Sequence, residues 1–328
     1  MEKPVSEDPP APGGDKESDE GGVIRSTGSW YEVKTDEGII PSKVRGRFRL
    51  MEEDVTNPIA VGDRVTVLLN PDGTGFITEI HERRNRLSRR AAGKRVGQEQ
   101  VLVANIDRVW IMQSVMMPKP NPGFVDRVLT MTEAHEIEAG LVINKIDLIE
   151  EGAGQEIEAI RELYSGLGYP VILTSAKTGA GIEELREHFR GRTSVITGPS
   201  GVGKSSVLNA IEPELGLRTS GVSERTRKGK HVTTNATLLP LSQGGYVVDT
   251  PGLREFGVLD IEPWELSHFF VEFKPFVNEC RFPTCTHDHE PGCAVKKAVE
   301  DGEISEKRYR SYLNILDSIN LGEKDVGR

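Results

Sequence analysis

Three short motifs stand in an unusual order along this chain. A phosphate-binding loop, Gly198-Pro199-Ser200-Gly201-Val202-Gly203-Lys204-Ser205, lies past the middle. A base-reading motif, Asn144-Lys145-Ile146-Asp147, precedes it, and so does Ser175-Ala176-Lys177. The base-reading motifs of a nucleotide-binding sheet ordinarily follow the phosphate loop. The reversed order constrains the fold to a circular permutation, which frees a chain end after the phosphate-sensing segments and lets another domain be fused there.

The loop fits Gly-x-x-x-x-Gly-Lys-Ser. Its glycines let backbone N–H groups close around phosphate oxygens. In such a loop Lys204 reaches the β- and γ-phosphates, the Ser205 hydroxyl meets Mg²⁺, and Ser206 continues the nucleotide-binding run. Ser194-Val195-Ile196-Thr197 reads as a strand before the loop, and Ser206 to Ile211 as a helix after it. Asp249-Thr250-Pro251-Gly252 follows the apolar run Tyr246-Val247-Val248. A carboxylate at that strand end can hold the Mg²⁺ shell, and the Gly252 N–H can meet a γ-phosphate. Asp147 can accept from N1–H and the 2-amino group of guanine, two donors that adenine lacks, so discrimination is large. Asn144 would brace the loops, Lys145 would lie along the base, and the Ala176 N–H could contact the guanine carbonyl. These features point to a GTPase.

The three cysteines of the chain gather with one histidine in Cys280-x4-Cys285-x-His287-x5-Cys293. Three thiolates and one imidazole make a closed tetrahedral set for one structural Zn²⁺, with no open position for water. An odd cysteine count argues against a disulfide framework. His268 and His289 read as surface or packing histidines.

The motif order, a small β-domain before it and the Cys/His cluster after it make residues 22 to about 315 similar to the bacterial ribosome small-subunit-dependent GTPase A family, a circularly permuted group. The resemblance implies binding to the small ribosomal subunit late in its assembly, hydrolysis stimulated by that subunit, and release on hydrolysis. Within the segment Gly221 to Thr234 it points to Thr234 as the remaining Mg²⁺ ligand, with Thr233 as rival. Leu253 stands where Ras-like enzymes carry a water-orienting Gln, and the resemblance points to His231 for that role, making Lys204, Thr234 and His231 the catalytic set. A permuted GTPase of large-subunit assembly and a GTP-binding RNA scaffold without turnover are the competing readings.

The domain plan is multidomain. Residues 1–21, rich in Pro, Gly, Asp and Glu, read as a disordered acidic tail. Five strand-like runs in residues 22–82 suit an OB-fold barrel, the third of them at Val44 to Leu50. Arg45, Arg47 and Arg49 alternate on one strand face, where they can attract RNA, while Trp30, Tyr31 and Phe48 each read first as core. Residues 83–96 form a basic linker; Arg83, Arg84, Arg86, Arg89 and Arg90 lie in a stretch without acids and point to salt-dependent rRNA contact. An α/β GTPase domain at 97–262 should carry a mostly parallel sheet, with helices near 124–138, 154–166 and 181–190. A helical zinc-binding domain and tail fill 263–328. The formal charge of −10 argues against nucleic acid in general but hides this local distribution. No apolar run approaches the roughly 20 residues of a membrane span, and no signal core opens the chain. A cytoplasmic monomer, with no membrane partner, is expected.

Overall fold

The computed structural model describes residues 18–44, 58–90, 99–149, 154–217, 236–249 and 261–321. The first strands are β1 (Ser18–Thr27), β2 (Trp30–Lys34), β3 (Ile39–Val44), β4 (Arg64–Leu69) and β5 (Gly75–Ile80). They bond in the order β1-β2-β3-β5-β4, and β1 also pairs with β4, which closes a barrel. Closure depends on the length of β1: Ser18 to Gly22 pair with β4 and the remainder pairs with β2. An irregularity between Val23 and Arg25 turns the strand from one partner to the other. Val23, Tyr31, Val33, Ile40, Val65, Val67 and Ile77 fill the interior. This is the OB-fold arrangement.

Two expectations are corrected here. Residues 18–21 belong to β1 rather than to a disordered tail, because pairing with β4 satisfies a backbone whose composition alone is turn-like. The strand after β2 is Ile39–Val44, upstream of the expected run, of which only Val44 is among the described residues. Ile40 and Ser42 point inward and Pro41 takes an exposed position between them, so proline is tolerated. Arg45, Arg47, Phe48 and Arg49 lie outside the described residues.

The described part of the basic linker, up to Arg90, contains a strand. β6 (Arg86–Arg90) and β7 (Glu99–Ala104) form an antiparallel ribbon, with Leu87 and Val103 buried beneath it. Arg83 donates from Nε and Nη2 to the two carboxylate oxygens of Asp63 at 2.7 and 2.8 Å, and also to the Pro58 carbonyl. Asp63 is fully buried and accepts from the Ala60 N–H as well. Arg84 donates to Asp107 at 2.6 Å and to the Ile106 carbonyl. Arg83 is held within the barrel, while Arg84, still exposed, ties the chain after the barrel to the start of the next sheet.

The central unit runs β8 (Arg108–Ser114), α1 (Pro122–Ala134), β9 (Glu138–Asn144), α2 (Gly154–Gly166), β10 (Val171–Leu173), α3 (Ile182–Phe189), β11 (Thr193–Thr197), α4 (Lys204–Ile211), β12 (Thr237–Pro240) and β13 (Tyr246–Asp249). The sheet order is β10-β9-β8-β11-β13-β12, parallel except for β12. Near-continuous burial along β8 and β9 is what a parallel sheet covered on both faces demands. Val109, Ile111, Leu141 and Val195 face α1 and α2, while Trp110, Met112, Val142 and Ile196 face α3 and α4. Helix α1 ends at Ala134, short of the expected Glu138. Glu136 adopts a positive φ of 54° in the turn that follows, and Glu138 already opens β9. β1 extends the sheet through one pairing, Arg25 with Thr237 of β12.

From Ile261 onward three 3-10 turns lead to α5 (Ala294–Glu300) and α6 (Glu306–Asn320). Phe270, Phe273, Val295, Tyr312, Ile315 and Leu316 form their core. This unit docks on α1 through Arg308, which is 2% exposed. Arg308 donates to Asp126 at 2.5 Å and to Glu272 at 2.6 and 3.1 Å. The Tyr164 hydroxyl donates to the same Asp126 oxygen at 2.7 Å. Among the described residues no helix is long and apolar enough to cross a membrane.

Candidate active site and metal centre

The parallel strands place the motifs together. Asn144 ends β9, Thr174 to Lys177 follow β10, the phosphate loop follows β11, and Asp249 ends β13. All lie at the carboxyl edge of the sheet, where α/β ligands bind. Register sets Val195 beside Val248, so the strand feeding the phosphate loop runs next to the strand that delivers Asp249.

The loop itself needs glycine. Gly198 has φ 150° and a Cβ there would lie 2.2 Å from the Met112 carbonyl oxygen. Gly203 has φ 98°, and its Cβ would lie 2.4 Å from Asn144 Nδ2. Val202 is fully buried and anchors the loop's floor. Lys204 opens α4, and its ammonium donates to the Gly198 and Pro199 carbonyls at 2.7 and 2.8 Å. That places the cation over the loop whose backbone N–H groups would meet phosphate. Ser205 and Ser206 stand half-buried in the first turn of α4.

Asn144 is the joint between the two halves of the site. It is 2% exposed, and its Nδ2 donates to the Val202 carbonyl at 2.9 Å. Its Oδ1 accepts from the Thr174 hydroxyl and the Ala176 N–H, each at 3.2 Å. One side chain thereby fixes the phosphate loop against the base-reading loop. A guanine carbonyl would share the Ala176 N–H with Asn144. Asp147 accepts from the Ser175 hydroxyl at 2.6 Å, and Lys177 lies 3.8 Å away. The Ser175 bond, with a smaller contribution from Lys177, holds the Asp147 carboxyl below the usual carboxylate range. It therefore stays an acceptor, as a reader of two guanine donors must. Lys145 takes a left-handed conformation, φ 66°, and its ammonium donates to the Met117 carbonyl. The segment after β8 is held in turn by the Ser114 hydroxyl on Pro118 and by Gln113 accepting from the Asn121 N–H. Ser114, Met117 and Thr174 are missed by motif reading, because their contributions are one hydroxyl or one backbone carbonyl with no fixed pattern. Thr233, Thr234, His231, Gly252 and Leu253 lie outside the described residues, and of Asp249 only the backbone is described.

The cysteine cluster also assembles. One ligand atom from each of Cys280, Cys285, His287 and Cys293 lies within 4.8 Å of the others. Cys280 Sγ is 3.9 Å from Cys293 Sγ and 3.5 Å from His287 Nδ1, and His287 Nδ1 is 3.3 Å from Cys293 Sγ. Tetrahedral bonds of about 2.3 Å to sulfur and about 2.05 Å to nitrogen separate sulfur pairs by about 3.8 Å and sulfur from nitrogen by about 3.6 Å. The donor set thus fits a metal ion. Without a cation, burial pushes the Cys285 thiol up to about 12 and His287 down to about 4. Tyr309 and Tyr312 donate to the His287 and Thr286 carbonyls, each at 2.7 Å, and hold this loop to α6. Asp288, His289 and His268 supply none of the four cluster ligands.

A guanine-type site on a sheet whose base reader precedes its phosphate loop defines a circularly permuted P-loop GTPase. The chain belongs to the RsgA GTPase family. The match to RsgA GTPase spans residues 80–259, and a match to the RsgA N-terminal domain spans residues 20–77. The chain is 43% identical over 303 residues to the small ribosomal subunit biogenesis GTPase RsgA of Bacteroides fragilis, covering 92% of this chain and 97% of that one. Crystalline YjeQ from Thermotoga maritima superposes with a TM-score of 0.77 at 41% identity, over 93% of this chain and 99% of that one. YloQ, described as a circularly permuted GTPase, gives 0.74 at 32% identity, over 94% and 97%.

Proposed function

We propose that this protein hydrolyses GTP to GDP and phosphate in biogenesis of the small ribosomal subunit, acts late in assembly, and is released when hydrolysis occurs. The observation that carries the reading is Asn144, which joins a guanine-reading carboxylate loop to a phosphate loop on one sheet edge. The names of the relatives support the choice of subunit. In this reading Asp147 selects guanine, Lys204 meets the β- and γ-phosphates, and Ser205, Thr234 and Asp249 complete the Mg²⁺ shell. Mg²⁺ supplies neutralisation of the charge that develops on the transferred phosphoryl group. Leu253 has no polar atom with which to orient water, so His231 takes that role and the intrinsic rate is slow. The Cys/His donors are those of structural zinc, with every ligand position filled by protein. Arg86, Arg89 and Arg90, with Arg45, Arg47 and Arg49, provide rRNA contacts. The protein works as a cytoplasmic monomer.

GTP turnover measured alone, with purified small subunits and with purified large subunits tests the reading. Small subunits alone should stimulate it, and rising salt should weaken the effect. Equal stimulation by large subunits, or none by either, overturns it.

A further inference from the structure

Trp30 is 38% exposed on β2, although aromatic residues of a small barrel are expected inside, and its neighbour Tyr31 is buried. The Lys43 ammonium of β3 lies 4.3 Å from the Trp30 ring centroid. Both line a cleft of about 380 Å³ whose other wall is the turn between β4 and β5, with Asn70, Asp72, Thr74 and Phe76. The turn is internally braced. Asp72 Oδ1 accepts from the Thr74 N–H at 3.0 Å and its hydroxyl at 2.7 Å, and Asn70 Nδ2 donates to Thr74 Oγ1 at 3.0 Å. These bonds leave acceptor capacity on Asp72 Oδ2 and Asn70 Oδ1. The Thr74 hydroxyl, and then its N–H, hold the Asp72 carboxyl below the usual carboxylate range, so it stays an acceptor.

We propose that this cleft binds one unpaired, donor-edged nucleotide of RNA, guanine foremost, with its base stacked on Trp30, its donor edge on Asp72 and Asn70, and its phosphate on Lys43. The proposal rests on the RNA-binding reading above and deepens it. Each wall selects for this ligand. An aromatic plane stacks any base. A carboxylate beside it repels a bare phosphate and accepts from an N–H edge, the role assigned to Asp147 in the nucleotide site. The Lys43 cation over the ring disfavours an incoming arginine or lysine side chain and favours an anionic backbone. Adjacent β2 and β3, facing the β4–β5 turn, present these groups on the closed barrel, and a base stacking on Trp30 needs only the Lys43 side chain to swing from the ring toward the phosphate.

The test titrates the full chain with fluorescently labelled single-stranded RNA pentamers, one rich in guanine and one of uridine only, at fixed salt. Trp30→Leu should weaken the guanine pentamer about tenfold, and Trp30→Phe should keep most of its affinity. Asp72→Asn should abolish the preference for guanine over uridine. All three variants should keep wild-type melting temperature and basal GTP turnover. Failure of the wild-type chain to bind either pentamer overturns the pocket, and so does an unchanged affinity in Trp30→Leu. If Trp30→Leu leaves pentamer binding intact while joint neutralisation of Arg86, Arg89 and Arg90 weakens it, the pocket falls and the RNA reading stands. If neither change matters, both fall. If Trp30→Leu weakens only binding to intact small subunits, the cleft meets a folded feature of the subunit and the assignment to an unpaired nucleotide is wrong.

Discussion

Replacing Arg308 by Met should separate the C-terminal unit from the GTPase sheet. Arg308 is 2% exposed, pairs with Asp126 at 2.5 Å and Glu272 at 2.6 Å, and lies 4.5 Å over the Phe270 ring. Burial opposes its charge, but Asp126 and Glu272 hold the guanidinium well above its ordinary range. Methionine keeps the aliphatic length and removes the cation. Asp126 and Glu272 then face each other's charge inside the interface. Removing one partner of a buried ion pair costs about 3–5 kcal/mol. At roughly 2–4 °C per kcal/mol for units of this size, the melting temperature should fall by roughly 10 °C. Differential scanning calorimetry reads this directly. Arg308→Met with Asp126→Asn should cost less than the sum of the single changes, because the second change relieves the charge the first exposes. A melting temperature within about 2 °C of wild type, or strict additivity, would refute the account of α6 docking on α1.

Asp147→Asn replaces an acceptor by a mixed donor and acceptor, and calorimetric titration should show xanthine nucleotides favoured over guanine nucleotides. Lys204→Ala should abolish subunit-stimulated turnover, while His231→Ala should keep GTP binding and slow turnover by about 10²-fold or more in a phosphate-release assay. Gly203→Ala should destroy nucleotide binding, since its Cβ would collide with Asn144 and its φ of 98° disfavours any side chain. Metal analysis should find about one zinc per chain, and chelation should make stability pH-dependent in a defined way. In the metal-free chain His287 has a folded value of about 4, below its unfolded value of about 6.5, so stability is present above about pH 6.5 and lost as pH falls toward 4. Cys285 is raised to about 12, so its contribution is present below about pH 8.5 and lost as pH rises from there. A metal-free chain with a flat melting profile from pH 4 to 9 would contradict this.

The parts legible in the sequence are those whose chemistry is local. A phosphate loop, a guanine reader and a Cys/His set each require fixed residue types at fixed spacing, so a few letters carry them. Asn144 illustrates the boundary: its motif predicts a brace, and only the fold shows that the brace ends on Val202 and Ala176. Arg83 illustrates the failure. Seven cationic residues without an acid between residues 83 and 95 look like a surface for an anion. The anion for Arg83 is Asp63, twenty residues away in the same protein. Arg308 and Asp126 are 182 residues apart, beyond any window of periodicity. A trace was present nonetheless: each interrupts an apolar helical stripe, Arg308 ahead of Tyr312 and Ile315, and Asp126 between Val125 and Val128. Opposite charges embedded in two such stripes are a signal for pairing between helices, because neither can be buried alone.

The permuted order acquires a physical meaning once the attachments are placed. β13 ends at Asp249, beside the phosphate loop, and Ile261, the first described residue of the C-terminal unit, lies twelve positions later. The barrel reaches the same region from the other side, since β1 pairs with β12 and β12 pairs with β13. The barrel is therefore anchored beside the strand that ends at Asp249, while the C-terminal unit follows that strand in the chain and packs on α1. In the unpermuted order the chain ends would instead follow the base reader, whose surroundings change little between GTP and GDP because both carry guanine. The difference between the two nucleotides is the γ-phosphate alone, and a ligand shifts a conformational equilibrium only through contacts that differ between the states. With the barrel joined through β12, and the C-terminal unit following Asp249 in the chain, that one difference would arise close to where both appended units begin.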